Sequence, residues 1–287
     1  MTVSPIFRPK SVALSHPVVV ESVVFKAHTE LMQPLLNIAI QAARQASDLI
    51  LRYAHQIDRL TISEKSRNDY FTEVDIKAEQ TIIETIHKAY PSHGILGEEC
   101  GSYLHDAECV WIIDPLDGTS NYLHGFPFYS VSIAIQIKNQ IEHAVVYDPI
   151  RHECFSASRG RGARLNDHRV RVSKQSHLDA SMLGVNLQHN YVSTTDKSKI
   201  ESLMHECASA RRTGSVALEL AYVAAGRLDG FFGFGLKPWD IAAGALLVQE
   251  AGGIISDEHD ADHYLKKGNI LAGTPKVHKG LIHALNN

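Results

Sequence analysis

From Pro34 onward the apolar positions Ile38, Ala42, Ala46, Leu49 and Tyr53 recur three and four residues apart, drawing one stripe along a helix. Pro34 suits the first turn of that helix, where a missing N–H does no harm. A second helix is predicted over residues 75–90, with Ile82, Ile83, Ile86 and Ala89 inward and Pro91 as its stop. The period then shortens. Residues 110–113, 131–137, 143–147 and 154–157 are strand-sized apolar runs divided by turn residues. Paired helices followed by strands predict an α+β organisation in this half. The remainder alternates between periods. Residues 215–226 read as a buried helix closing at Gly226, and residues 240–251 as another ended by Gly252 and Gly253. Strands at 254–256 and 269–272 and a helix at 276–285 complete the chain. The polar, Gly-rich stretch 159–166 puts a domain seam near residues 166–170, between an N-terminal α+β half (32–166) and a C-terminal α/β half (167–287).

Residues 1–31 carry no period that survives more than a few positions. Glu21 and Ser22 split the valine clusters, so no signal-peptide core forms, and Arg8, Lys10 and Lys26 are too sparse for an organelle-targeting peptide. This stretch reads as a disordered or mis-started extension, with Met32 as the alternative start. Composition changes the picture mainly by exclusion. The 287 residues hold 28 Lys+Arg against 32 Asp+Glu, a formal charge of -4, which argues against nucleic-acid binding through a broad basic surface. At 44% hydrophobic and 21% charged, most of the chain can fold around a core. No apolar run approaches the roughly 18–20 residues that a bilayer span needs. Cys100, Cys109, Cys154 and Cys207 are scattered, with no CxxC, and read as the reduced thiols of a cytoplasmic protein.

The chemistry concentrates in Trp111-Ile112-Ile113-Asp114-Pro115-Leu116-Asp117-Gly118-Thr119-Ser120-Asn121. A hydrophobic strand delivers Asp114 at its carboxyl end, Pro115 stops the strand, and Asp117 follows after a sharp bend. Two carboxylates facing one point repel each other, so a cation belongs between them. Oxygen ligands without His or Cys favour Mg²⁺ over Zn²⁺. The Gly118 and Thr119 amides at a helix start suit phosphate oxygens. Taken alone, DxxDGT serves equally well as an Asp-rich helix cap. Two further acids shift that balance: Gly97-Glu98-Glu99 follows another strand end, and Pro238-Trp239-Asp240 sets an acid at a helix start.

These residues carry a resemblance. WIIDPLDGTSNYLHGFP at residues 111–127 and WDIAAGALLVQEAGG at residues 239–253 are similar to the two signatures of the inositol monophosphatase family. The Gly97-Glu98-Glu99 triplet, Thr72-Glu73-Val74-Asp75 and the run from Arg211 to Phe232 support it, and the resemblance covers residue 32 to the C-terminus. It implies a layered αβαβα sandwich and a Mg²⁺-dependent, lithium-sensitive phosphatase, commonly a homodimer. Glu98, Asp114 and the Leu116 carbonyl are implied to hold one Mg²⁺, with Asp114 bridging to a second completed by Asp117 and Asp240. Glu98 and Thr119 are implied to orient and deprotonate the attacking water, with Asp75 behind Thr119 and Lys65 in the surrounding charged shell. Leu116, Asp117, Gly118, Thr119 and Asp240 would face the phosphate, and Arg211, Gly214, Ser215 and Val216 the substrate alcohol.

Metal-assisted hydrolysis needs no protein nucleophile, and Cys100, beside Glu99, has a thiol pKa pushed up rather than down. One position departs from the family pattern. Where many members carry an acid seven residues before the second-signature Asp, this chain has Gly233, which removes a charge-assisted hydrogen bond of roughly 1.5–3 kcal/mol and loosens selectivity for inositol. Phosphatases of nucleotides or sugar phosphates share the metal acids and stay open as readings. So does a different class, because bacterial members are implicated as accessory proteins in transcription complexes making ribosomal RNA. His259 and His263, four apart among Asp257, Glu258, Asp260 and Asp262, have metal-like spacing but read as a polar surface turn. Gly160-Arg161-Gly162 reads as a tight turn between strands.

Overall fold

The computed structural model describes residues 18–57, 62–66, 69–104, 106–187 and 194–286. It divides into two units, residues 1–34 and 35–287. Helix α1 spans Val18–Ala54 with Pro34 inside it. It therefore starts within the stretch expected to lack an element, and Pro34 does not mark its beginning. Residues 1–17 lie outside the described residues.

From residue 35 the elements form five layers. The first holds α1 and α2 (Glu73–Ala89), joined through the hairpin β1 (Ile62–Ser66) and β2 (Asp69–Thr72). The second is an eight-stranded sheet. Its strands are β3 (Gly94–Gly97), β4 (Gly101–Tyr103), β5 (Cys109–Asp117), β6 (Ser130–Ile137), β7 (Gln140–Asp148), β8 (Glu153–Ser158), β9 (Gly162–Leu165) and β10 (His168–Arg169), with α3 (Thr119–Leu123) between β5 and β6. Its order is β10-β9-β8-β7-β6-β5-β3-β4. The second sheet has order β12-β11-β13-β15-β14, made of β11 (Met182–Leu187), β12 (Ser209–Arg211), β13 (Gly230–Phe234), β14 (Ile254–Ser256) and β15 (Ile270–Gly273). Between the sheets lie α5 (Val216–Ala224) and α6 (Pro238–Glu250). The outer face of the second sheet carries α4 (Thr194–Glu206) and α8 (Pro275–Asn286), and α7 (Tyr264–Lys267) precedes β15.

Three cores define the layers. Ala39, Ala43, Ile50, Ile82 and Ile86 pack on Trp111, Ile113, Ile133 and Val145. On the other face of the same sheet, Ile112, Ala134, Val146 and Phe155 meet Leu220, Ala221, Leu246 and Leu247, which also touch Phe231 and Ile270 of the second sheet. Leu183, Phe232 and Leu271 then meet Leu203, Val277 and Leu281. This is the αβαβα sandwich expected of the family. The first sheet ends at Arg169 and the second starts at Met182, so the chain changes sheet between them. One core nevertheless crosses that change, and residues 35–287 form a single unit.

Local differences from the sequence reading have physical causes. The buried stripe of α1 runs through Leu35, Ala39, Ala42, Ala43, Ala46 and Ile50, leaving Ile38, Leu49 and Tyr53 on its flanks. Small alanines at the centre allow close helix–sheet approach. In α2, Ile82 and Ile86 are buried, Ile83 flanks them and Ala89, the last residue, is exposed. The all-apolar run at Phe231-Phe232 is β13, a central strand buried on both faces, whose pattern has no alternation to betray it. Among the described residues, no helix is long and apolar enough to cross a membrane.

Candidate active site

The site begins with a fault in a strand. β5 pairs antiparallel with β6, Asp114 opposite Ser132 and Asp117 opposite Ser130, so three steps on β5 match two on β6. The extra residue is a β-bulge, and Pro115, which has no N–H for the ladder, sits in it. Side chains alternate along a strand, so Asp114 and Asp117 would otherwise face opposite sides. Ile112 faces the α5–α6 layer while Ile113 faces α1 and α2. Past the bulge, Leu116 joins the α1–α2 core and Asp117 joins Asp114 on the inner side. Pro115 thus does not stop the strand, as its type suggested; it shifts the parity.

On that inner side Asp117 meets the start of α5. Its Oδ2 accepts from Ser215 Oγ at 2.5 Å and the Ala217 amide at 2.8 Å, and its Oδ1 accepts from the Val216 amide at 3.1 Å. Ser130 Oγ adds a long contact to Oδ2 at 3.4 Å. Burial pushes Asp117 up to about 6 against these donors. Asp240 takes the third position of α6 and accepts the Lys237 amide at 2.8 Å. Burial again raises its pKa well above the usual carboxylate value, and Asp117 and Glu98 add to the rise. Asp114 is the most burdened. Its one amide donor is Leu116, at 3.1 Å, while burial and then the charges of Glu98, Asp117 and Asp240 push it well up.

A second group lies beside the bulge. Thr119 opens α3, and its Oγ1 contacts Asp75 Oδ1 at 2.9 Å and the Leu116 carbonyl at 3.1 Å. The hydroxyl has one proton, and the carboxylate is the stronger acceptor. Asp75 is held in turn by the Thr72 amide and hydroxyl, at 2.8 and 2.6 Å, in the capping box that starts α2. It is buried, which raises its pKa despite those donors. Gly118 has φ of 103° and a built Cβ there would meet the Phe128 carbonyl at 3.2 Å and that of Gly214 at 3.3 Å, so only glycine fits.

Two residues passed over in the sequence fasten the substrate side to this floor. Asn121 Nδ2 donates to the carbonyls of Phe128 at 2.6 Å and Thr213 at 2.7 Å. Buried Glu219 Oε1 accepts the Thr213 amide at 2.7 Å and its hydroxyl at 2.5 Å, while burial raises Glu219 to about 8. Asn121 stood inside the first signature without an assigned task; nothing in its spacing signals a contact 92 residues away.

Geometry therefore brings Glu98, Asp114, Asp117, Asp240, Thr119 and Asp75 together, with Gly118, Gly214, Ser215 and Val216 alongside. Arg211 is exposed and its Nη1 turns back to the Ala210 carbonyl at 3.1 Å. The side chain of Lys65, on β1, lies outside the described residues. Gly233 is buried in β13, and a Cβ there would meet Leu236 Cδ1 at 2.6 Å.

These residues suit a hard cation. The donors are all oxygens, and burial, then the neighbouring acids' charges, raises Asp114 and Asp240, a cost that a positive ion beside them would offset. Asp117 keeps acceptor capacity on Oδ1, which takes only one of its chain donors. Among the described residues no three acid, His or Cys side chains are drawn together as a closed metal cage.

The same arrangement has relatives. Residues 31–287 match the model of the inositol monophosphatase family. The chain belongs to that family. It is 50% identical over 259 residues to the Nus factor SuhB of Pseudomonas aeruginosa, covering 88% of this chain and 95% of that one. Against the Nus factor SuhB of Escherichia coli it is 50% identical over 254 residues, with the same coverage. The solved structure of the suhB protein from Bartonella henselae superposes with a TM-score of 0.86 at 40% identity, covering 88% of this chain and 99% of that one. An inositol monophosphatase from Anabaena superposes at 0.77 with 34% identity, over 89% and 96%.

Proposed function

We propose that the acids around Asp114 form the metal centre of a Mg²⁺-dependent phosphomonoesterase acting on inositol 1-phosphate or a related ester. The observation that carries this reading is the bulge at Pro115, which turns Asp114 and Asp117 to one side, where Glu98 and Asp240 raise Asp114 further. Glu98, Asp114 and the Leu116 carbonyl would hold one Mg²⁺, and Asp114, Asp117 and Asp240 a second. When bound, the metals supply neutralisation of the ester's charge and a more acidic water. The chain does the rest. Glu98 would orient the attacking water, and Thr119 Oγ1 would accept its proton while passing its own to Asp75 Oδ1. Burial makes Asp75 a stronger base than an exposed carboxylate, which favours the transfer. The Asp117, Gly118 and Thr119 segment would face the phosphate, Gly214, Ser215 and Val216, with Arg211 nearby, would border the alcohol, and Lys65 would belong to the charged shell around the metal acids.

The test is phosphate release with and without Mg²⁺ from inositol 1-phosphate, a 2′-nucleotide and fructose 1,6-bisphosphate. Metal-dependent turnover favouring inositol 1-phosphate is the expected result, and turnover favouring another ester keeps the centre and replaces the substrate. No turnover by folded protein in saturating Mg²⁺ rejects the enzyme.

A second reading has its own support. The relatives at 50% identity are named Nus factors, whereas the inositol monophosphatase from Anabaena stands at 34%. On that comparison the biological role leans toward an accessory protein of a cytoplasmic transcription complex, reached through protein contacts because the chain has no net positive charge. The two roles can share one fold. A pulldown in which Asp114→Asn still retains RNA polymerase or its elongation factors separates them; loss of both partners and turnover ties the role to the metal centre. Light scattering checks the homodimer that belongs to either reading.

A further inference from the structure

We infer that Glu79 is a positioning residue whose buried carboxylate shapes the turn presenting Glu98, so that helix α2 sets both Glu98 and Thr119. This rests on the reading of the acids as a metal centre. Glu79 follows Asp75 by four residues, which puts both on one face of α2. Asp75 holds Thr119. Glu79, only 2% exposed, holds the other member: Oε1 accepts the Glu99 amide at 3.1 Å and Oε2 the Cys100 amide at 2.7 Å. From the opposite side, the Glu98 amide donates to the Ile113 carbonyl at 3.1 Å, one residue before Asp114. The backbone of Glu98 is thus fixed between β5 and α2.

Residue type and space both support the assignment. Two successive amides need two acceptor atoms at one place, and a carboxylate provides them where glutamine offers one acceptor and one donor. Gly97 makes the room. A Cβ on Gly97 would lie 2.1 Å from Glu79 Oε1 and 2.8 Å from Cys100 Sγ, so the carboxylate occupies the volume that any side chain at 97 would take. The cost is a buried negative charge beside an already acidic site. A carboxylate kept there despite that cost is explained by what the two amides carry, which is the direction of Glu98.

The full chain with Glu79→Gln tests this against wild type by three measurements. These are amide exchange of Glu99 and Cys100 in EDTA, the unfolding midpoint in EDTA, and Mg²⁺ affinity by calorimetry. Exchange at both amides should rise, the midpoint should stay near wild type, and Kd for Mg²⁺ should rise about 10- to 100-fold, as for other groups supporting metal ligands. Raised exchange with unchanged Kd would reduce Glu79 to a turn cap and overturn the inference, as would unchanged exchange. If Glu79→Gln does not fold, Gly97→Ala displaces the same carboxylate from the other side and is read in the same way. Wild type that binds no Mg²⁺ rejects the metal centre itself, and this inference with it.

Discussion

Two acid-rich regions of this chain look alike in sequence and behave oppositely in structure. Residues 257–263 alternate acids with His259 and His263, a spacing closer to a metal-ligand pattern than anything in the signature around Asp114. Yet Asp257 is self-sufficient. Its Oδ1 accepts the His259 and Ala261 amides at 2.9 and 3.0 Å, and its Oδ2 meets Lys267 Nζ at 2.7 Å. Burial would raise its pKa, but Lys267 and the amides outweigh it and the carboxyl is held low. Around Asp114 the carboxyls are held high first by burial and then by one another's charge, with Lys237 easing only Asp240. A turn that carries its own counter-charge has no need of an ion. On the proposed reading, what marks the cation site around Asp114 is the missing counter-charge, and the density of ligand types is a poor guide to it.

The largest expected effect comes from removing the charge at the centre of each region. Asp114→Asn should abolish Mg²⁺ binding in calorimetry while making the metal-free chain more stable, by about 1–3 kcal/mol, because a buried repulsion is relieved. Asp257→Asn should do the reverse: leave Mg²⁺ binding intact and cost about 1–2 kcal/mol, kept small because Lys267 is partly solvated. Urea unfolding in EDTA reads both signs. Equal destabilisation by the two variants would erase the contrast.

Acidity separates the regions next. Asp117 is raised to about 6, and Asp114 and Asp240 are raised well above the ordinary value of 3.8. A carboxyl with a raised folded pKa binds more protons folded than unfolded, so its contribution is present below the unfolded value and is lost as pH rises through the folded one. The metal-free chain should therefore lose stability from about pH 4 through 6 and beyond, and Glu219, at about 8, extends the trend. Asp257 opposes it only at the acid end, where its contribution disappears as pH falls below the usual carboxylate range. Saturating Mg²⁺ should flatten the slope above pH 6 and release protons on binding. Melting curves at fixed pH with and without the metal check it; a slope that Mg²⁺ leaves unchanged would detach the raised acids from the cation.

Gly233 gives a smaller and more local test. An acid at this position must push Leu236 Cδ1 aside, since a Cβ would already stand 2.6 Å from it and 3.0 Å from the Phe231 ring. Gly233→Glu should thus cost about 1–3 kcal/mol by overpacking. Paired with Leu236→Ala, it should regain stability and raise the preference for inositol 1-phosphate over a simpler ester. A preference ratio that does not move in the double variant removes Gly233 from the account of specificity.

Much of the architecture was legible because periods are local: α2, α5, α6 and the strands β5 to β8 stand close to where apolar spacing put them. The acids too stood in recognisable segments. What stayed hidden depends on register or on distant partners. The parity change at Pro115 exists only once β6 is beside β5, and Glu79, Asn121 and Glu219 are single polar residues on helices until their partners arrive. Helix α4 was missed because its sequence, TTDKSKIESLMHE, is polar on most of its surface and packs through few residues such as Ile200 and Leu203. The helical course from Val18 escaped because Glu21 and Ser22 interrupt the apolar pattern without breaking a backbone helix.

The smallest effect belongs to the two histidines that made residues 257–263 resemble a metal site. His259 is exposed, its ring 3.6 Å from Glu258 Oε1, and His263 caps the four-residue α7 with no side-chain bond to the helix. The Asp257 carboxylate that organises the turn with Lys267 takes residue 259 by its backbone amide. Replacing both with alanine should therefore change stability by no more than about 0.5 kcal/mol and leave Mg²⁺ affinity as it was. The informative measurement is a Zn²⁺ or Ni²⁺ titration of wild type beside the double variant, in EDTA-free buffer. Equal, weak responses keep the turn a closed structure. A response lost only in the variant would make the turn a second cation site, and counter-charge could then no longer separate the two regions.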